Sequence, residues 1–475
     1  MGSVSAEAGE PRAAALLEHI LQLAGTPSAA GDVEFIGADP VFPSVFPMGE
    51  LGAASIAAAA LQSARLYERR TGIRQRATVP LDAAAAAMRA WRYIREVPTP
   101  PAAPGRHPVG FYRTADDRWL FLHRLAQHHF ARQLRVLGLP GDADDEQLAR
   151  AIATWNGGEL EEAIMAADAC AAVARTAEEW AHHPQGRAVA ELPLFRLTKI
   201  GESAAEAAGS GERPLGGIRV LDLTRVLAGP TSARALAEQG AKVLRIASPL
   251  FPDTPQMVKD TGHGKRSAVL DLRDSRDAGA MRALLADADV YIQGYRPGAI
   301  EHLGFSAEEV AALRPGIIVV RLSAFGGVGP WGRRRGFDSV VQASNGIALE
   351  MGAALGDGSP RSMPGNPLDY VTGYLAAFLA QRALELRAED GGSYLIELSL
   401  AQTGHYLNGL PRLDRDAAAA RPAELSDERL DELMMTRATP YGALRYLRPA
   451  AQLPVTPGRW ELPTVPLDHD RPQWW

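Results

Sequence analysis

Two rhythms of apolar and polar positions divide this chain. Before about residue 207 the spacing is mainly helical, and dense Ala and Leu with few breakers predict helices over residues 53–69 and 82–95. Further helical patterns cover 125–137, 146–153 and 159–171, while 110–113 and 119–123 read as short strands joined by the polar turn Ala115-Asp116-Asp117. The stretch PTPPAAPGRHP at 98–108 reads as a stiff extended linker, because proline fixes φ and removes backbone donors. A second linker, rich in Ala, Gly and Ser, runs over 203–216, and the main boundary is placed there.

From Gly217 the pattern changes. Apolar runs at 218–223, 241–246, 290–293 and 317–323 predict strands, with helices at 231–239 and 277–285 between them. Strands alternating with helices imply βαβ units, and mostly apolar strands imply a sheet covered on both faces. The expected fold class is therefore α/β: a doubly wound, mostly parallel sheet over 217–402 plus a smaller α+β domain over 110–202. A helical segment precedes them at 1–97, and 403–475 reads as an irregular C-terminal extension.

An internal repeat links the two halves. Glu50, Gly72 and Leu81 stand 319 positions before Asp369, Gly391 and Leu400. Between these anchors both copies read as an Ala-rich helix, a charged helix end, a glycine turn and a strand. Any two amphipathic helices followed by strands look alike, but the gapless register argues for a duplicated segment.

Composition narrows the function. The 475 residues carry a net charge of −6, so no global positive field exists to hold nucleic acid or an anionic membrane. One cysteine, Cys170, cannot form an internal disulfide, which fits a reducing, cytoplasmic setting. Residues 1–10 lack the cationic and apolar regions of a secretory leader, and the longest apolar run, 51–61, is too short to span a bilayer.

Common motifs fail. The loop after the first strand of the second half, Thr224-Arg225-Val226-Leu227-Ala228-Gly229-Pro230, lacks the spacing of a dinucleotide fingerprint. Gly264-Lys265-Arg266-Ser267 superficially looks like a phosphate loop, but Lys259 stands where the first glycine belongs and Arg266 where Ser or Thr must follow. His128-His129 and His182-His183 are adjacent rather than four apart, which favours surface or packing roles over metal ligation.

What survives is a set of loops at strand ends, where open α/β sheets bind ligands. They carry Arg225, Lys265, Arg266, Arg296 and the run Arg333 to Arg335, together with the glycine-rich Gly326-Gly327-Val328-Gly329-Pro330-Trp331. A charge run is often only a solvated face, yet cations gathered at several strand ends of an acidic protein favour a phosphorylated, nucleotide-like ligand. Asp369, just before an apolar-periodic helix, is the sharpest single residue. It reads as an N-cap. It also suits a nucleophile, since free helix N–H groups favour an ionised carboxylate and Gly365 and Gly373 would leave room for a bulky acyl thioester.

These motifs, taken in order, resemble the class III CoA-transferases, which include formyl-CoA and carnitine CoA-transferases and, as a branch, the α-methylacyl-CoA racemases. The resemblance rests on GIRVLDLTRVLAGP, GAKVLRI, GKRSAVLDLR, ADVYIQGYRPGAIEHLG, RPGIIVVRLSAFGGVGPW, RRGFDSVVQASNGIA and LDYVTGYLAAF, covering 217 to about 402. It implies that Asp369, followed by Thr372 and Gly373, is a nucleophile passing through aspartyl-CoA thioester and anhydride intermediates. It implies CoA contacts at Arg225, Leu227, Ala228, Lys265, Gly294, Tyr295, Arg335 and Phe337. Backbone N–H groups near Gly326 and Gly327 are candidate oxyanion donors. Coenzyme A enters as substrate, and no metal is implied.

The chain departs from the family pattern in three places. Arg245-Ile246-Ala247-Ser248 replaces the acidic residue often found after the second strand. Phe337 stands where the racemase branch needs a histidine base, which lowers proton abstraction as the reaction. The segment 110–195 resembles the family's small domain but precedes the sheet domain, so the chain looks like a truncated tandem, with Glu50 in the register of Asp369 as a relict or a plain helix-start acid. The expected function is CoA transfer from an acyl-CoA to a free carboxylic acid in a homodimer. An isomerase, racemase or lyase on the same scaffold stays open, as does a non-catalytic CoA-binding subunit.

Overall fold

The computed structural model describes residues 12–28, 30–98, 109–250 and 254–475. The proline-rich linker, apart from Pro98, and the leader-free reading of residues 1–10 lie outside the described residues.

Seven strands build the main sheet: β1 (Arg196–Gly201), β2 (Arg219–Leu223), β3 (Lys242–Ala247), β4 (Lys265–Val269), β5 (Val290–Gln293), β6 (Ile318–Ser323) and β7 (Ser393–Ser399). Their order is β4-β3-β2-β5-β6-β7-β1, parallel throughout except for β1, which runs antiparallel to β7. Val220, Val243, Ile292 and Val320 belong to one apolar core, while Leu221, Leu244, Tyr291 and Val319 belong to another. Strand side chains point alternately to the two faces, so burial on both explains the unbroken apolar runs in the sequence.

Three helices organise the larger core: α1 (Met48–Thr71), α2 (Ala228–Glu238) and α3 (Pro367–Asp390). Helix α3 is buried nearly all round and packs on both α1 and α2. The α1–α3 seam is also polar. Ser63 Oγ donates to Gln381 Oε1 at 2.5 Å, Gln62 Nε2 donates to Glu385 at 2.9 Å, and Arg65 and Arg69 reach the same Glu385 carboxylate at 2.6 and 2.7 Å.

The repeat is visible in space. Helices α1 and α3 each span 24 residues, and both their ends keep the 319-residue offset. The strand after α1, Ala77–Pro80, pairs in parallel with Val33–Ile36, matching Val33 to Ala77 as β6 and β7 match Val320 to Ile396. This small sheet therefore reproduces two neighbouring strands of the large one.

Three expectations need correction. The helix expected at 82–95 ends at Ala87, followed by a single tight turn and the strand Arg95–Val97. Arg89 leaves helical geometry at φ −144° and turns inward, donating to the Ala423 carbonyl and pairing with Glu424. The helix expected at 159–171 runs from Gly157 to Ala166; Asp168 then adopts φ +63°, and Ala171–Val173 becomes the third strand of the small antiparallel sheet with Val109–Arg113 and Trp119–His123. The stretch 203–216, expected as a linker, holds no helix or strand, and Leu215 is buried while Glu206 pairs with Arg314. The C-terminal extension is not irregular throughout, because Met434–Thr439 and Gly442–Leu447 form a hairpin completed by Arg95–Val97. Its first strand buries only Met434, so it lacks the alternation that reveals a strand in sequence. Among the described residues no helix is long and apolar enough to cross a membrane.

Candidate functional site

Strand order in the large sheet reverses between β2 and β5, and the loops leaving their C-terminal ends diverge there into a crevice. After β2 the chain passes through Val226 at φ +67°. A β-branched residue in the left-handed region costs on the order of 1–3 kcal/mol, which the surrounding packing must hold in place. The turn leads into α2 and delivers the Ala228 N–H to the carboxylate of Asp369 on α3.

Two glycines make this meeting possible. A Cβ on Gly229 would stand 2.4 Å from the Thr224 Cβ, and one on Gly373 would stand 2.5 Å from the Ala228 carbonyl oxygen and 2.8 Å from the Thr231 Cβ. Gly365, at φ +129°, packs equally closely, with the Met88 carbonyl oxygen 2.7 Å from where a Cβ would be. The expectation that Gly365 and Gly373 leave room for an acyl group is thus corrected: protein atoms fill both spaces.

The room lies elsewhere. Asp369 lines a cavity of about 630 Å³. Arg225 and Ala228 enter its wall from the β2 loop, and Gly294, Tyr295 and Arg296 enter from the β5 loop. Arg335 and Phe337 close another side. The first half of the chain supplies Leu125, Gln127, His128 and His129, so the cavity is composite.

Sequence reasoning missed that contribution. The paired histidines carried no motif, and only folding brings them into the cavity that Asp369 lines. His129 is 4% exposed, and neither ring nitrogen has a hydrogen-bond partner among the described residues. Burial, reinforced by the charges of His128 and Arg335, pushes its pKa down to about 3, so its ring is neutral. Phe337 stacks on the buried His123 ring at 3.9 Å with only 6° between the planes.

Other expected contacts are not in the cavity wall. Leu227 is fully buried. Lys265, 1% exposed, donates to Asp222 and to the Pro230 carbonyl, both at 2.8 Å, and burial lowers its pKa to about 8. Gly326 and Gly327 lie outside the wall as well, and the Gly326 N–H already donates to Ser323 Oγ at 3.0 Å. Within the arginine run, Arg334 pairs with Glu162 and Arg335 with Asp168. Among the described residues no group of three or more His, Cys, Asp or Glu is arranged to hold a metal ion.

The electrostatics of Asp369 also differ from expectation. Its own N–H donates to Asp338 Oδ2 at 3.1 Å, placing two acids at the head of α3. Burial first, and then the Asp338 charge, pushes the Asp369 pKa well above the ordinary carboxylate range, outweighing the Ala228 N–H. Burial pushes Asp338 upward as well. The helix end alone therefore does not keep this acid ionised. At the matching start of α1, the Glu50 N–H donates to Asp39 at 2.8 Å, and burial and Asp39 push Glu50 up to about 7. Glu50 does not line the cavity.

Comparison with known proteins adds a family. The description CoA-transferase family III matches residues 20–194 and 215–439. An acetyl-coenzyme A transferase of Hypoxylon pulicicidum is 31% identical over 321 residues, which are 63% of this chain and 54% of that protein. The alpha subunit of a succinyl-CoA–L-malate CoA-transferase of Chloroflexus aurantiacus is 31% identical over 47% of this chain and 53% of its own length. The chain spans about half the length of these relatives. Among solved structures, a CAIB/BAIF family protein from Brucella suis is 26% identical, with a TM-score of 0.38, covering 49% of this chain and 65% of that one.

Proposed function

Because this chain belongs to CoA-transferase family III, we propose that it moves coenzyme A from an acyl-CoA thioester to a free carboxylic acid, with Asp369 as the covalent carrier. One observation carries the reading. The Asp369 carboxylate, touched by the Ala228 N–H, lines a composite cavity that also holds four arginines from the loops of the second half, Arg225, Arg296, Arg334 and Arg335.

Deprotonated Asp369 attacks the thioester carbonyl, the C–S bond breaks, and the CoA thiolate leaves with the electron pair. The product is a mixed anhydride between Asp369 and the acyl group. The thiolate then attacks the aspartyl carbonyl, releasing the first acid as carboxylate and leaving an aspartyl-CoA thioester. An incoming carboxylate reverses the sequence, emerging as a new acyl-CoA and restoring Asp369. These steps balance without a metal or redox group. Burial protects the anhydride from water and strengthens hydrogen bonds to developing oxyanions, for which the cavity's N–H groups are the candidates.

The order β4-β3-β2-β5-β6-β7, with alternate strand residues in two cores, supports reading the sheet as doubly wound and Rossmann-like. We include a cytoplasmic setting and a homodimer in the proposal; light scattering that returns a monomer at micromolar concentration would overturn the dimer.

Hydroxylamine trapping during turnover tests the chemistry. An aspartyl thioester or anhydride yields a hydroxamate, and peptide mass spectrometry should place it on Asp369. Turnover that continues with Asp369 unmodified, or in Asp369→Asn, would end the covalent reading. A panel of acyl-CoA donors against carboxylic acids then identifies the acyl group.

A further inference from the structure

An acid from the first half of the chain clasps the positive wall of the cavity. Asp168 stands just after the helix Gly157–Ala166 at φ +63°. Aspartate and asparagine adopt that left-handed geometry more readily than other side chains bearing a Cβ. Arg335 donates to its carboxylate through Nε and Nη2 at 3.0 and 2.8 Å, and Arg296 donates through Nη1 at 2.7 Å. Arg132 holds the acid from its own side, donating to the Asp168 carbonyl at 2.8 Å and to the carboxylate at 3.3 Å.

Arg296 and Arg335 come from different loops and both line the cavity with Asp369, whereas Asp168 does not. Two guanidinium groups side by side repel, and the Arg335 charge works against that of Arg296. A carboxylate bridging them offsets the repulsion, fixes the plane of the Arg335 fork through two bonds and anchors Arg296 through one. Asp168 offsets only part of the charge, because Arg225, Arg296, Arg334 and Arg335 all line the wall. Oriented, incompletely neutralised guanidinium groups match a phosphate in both charge and donor geometry.

We propose that Asp168 is a positioning residue that holds Arg296 and Arg335 as a paired guanidinium site for the phosphates of the coenzyme A donor. The proposal rests on the CoA-transfer reading for the identity of the ligand, and on geometry alone for the anion site. It also gives the first half of the chain a role in donor recognition that no motif in the sequence announces.

Asp168→Asn keeps the backbone preference and the shape of the side chain while removing its charge; Asp168→Glu restores the charge. The full chain is used throughout, with pyrophosphate binding measured by calorimetry and KM and kcat measured for an acyl-CoA and for the matching acyl-pantetheine, which lacks the nucleotide phosphates. Asp168→Asn should weaken pyrophosphate binding and raise the acyl-CoA KM by about tenfold. The acyl-pantetheine KM and both kcat values should stay near wild type, and Asp168→Glu should recover part of the loss. Equal KM increases for both donors would reduce Asp168 to a structural role. Tighter pyrophosphate binding in Asp168→Asn would make it a competitor of the ligand, and no change at all would remove it from the site; each of these overturns the proposal. A wild-type chain that binds pyrophosphate in an Asp168-dependent way yet transfers no CoA would keep the anion site and sink the CoA-transfer reading.

Discussion

Asp338 accepts the backbone N–H of Asp369 at 3.1 Å, so the proposed nucleophile shares the buried head of α3 with a second acid. Both pKa values are displaced upward, chiefly by burial, and the Asp338 charge adds to the shift at Asp369. Activity that needs ionised Asp369 should therefore rise with pH along an acid limb lying above the ordinary carboxylate range. Asp338→Asn can still accept the N–H through its amide oxygen but carries no charge, so the limb should move to lower pH in a kcat/KM profile. A limb that stays put or moves upward would mean that Asp338 does not set the ionisation of Asp369.

The same acids make stability depend on pH. A carboxyl whose folded pKa exceeds its unfolded value binds more protons in the native state, so stability is full below about pH 4 and falls as pH rises through the folded value. Glu50 and Glu238, each pushed up to about 7 by burial, act in the same direction as Asp338 and Asp369. Thermal melting should show Glu50, Glu238 and Asp338 lowering Tm between roughly pH 4 and 7, with Asp369 acting in the same direction and a shallower decline in Glu238→Gln than in wild type. An unchanged slope in that variant would show that Glu238 is not buried as an acid.

Lys265 separates a structural from a ligand-binding role. Removing one partner of a buried ion pair leaves the other uncompensated, so Lys265→Met should destabilise the fold by about 3–5 kcal/mol through the stranded Asp222. Because Lys265 is absent from the cavity wall, the folded variant should bind CoA as wild type does. Adding Asp222→Asn should recover part of the stability. A large loss of CoA affinity with little change in denaturant midpoint would instead return Lys265 to the ligand site.

The sequence carries strands β2, β3, β5, β6 and β7, the paired long helices and Asp369 because each has a local cause, whereas β1, half exposed throughout, leaves no apolar run. Apolar runs mark strands buried on two faces, the 319-residue register ties α1 to α3, and an acid at an apolar helix start stands out. The hairpin Met434–Thr439/Gly442–Leu447 is hidden because its first strand buries only Met434 and so shows no apolar alternation. His129 and Asp168 were illegible for a different reason. Their surroundings come from residues more than a hundred positions away, Phe337 and Arg335, and no local pattern encodes that proximity. Lys265 shows the converse: its motif was visible, but Asp222, which determines where its charge goes, is reached only through the fold.

Glu385 tests whether the two halves of the chain stand or fall together. Its carboxylate, 1% exposed, receives Gln62 and Arg65 from α1 and Arg382 from its own helix, and Arg69 pairs with it as well. These partners overcome the cost of burial and hold its pKa down at about 2. The sign is opposite to that of Asp369: the stabilisation is present above the unfolded value near 4.5 and is lost as pH falls toward 2. Glu385→Gln leaves Arg65 without this counter-charge while Glu389 still faces Arg69 and Arg382, and should cost about 1–3 kcal/mol at neutral pH. Because the cavity draws its wall from both halves, loosening this seam should also lower kcat/KM, although Glu385 is not in the cavity wall. Denaturation followed by tryptophan fluorescence, alongside turnover of the same samples, checks both effects. Wild-type activity in a clearly destabilised Glu385→Gln would show that the site tolerates independent movement of its two halves.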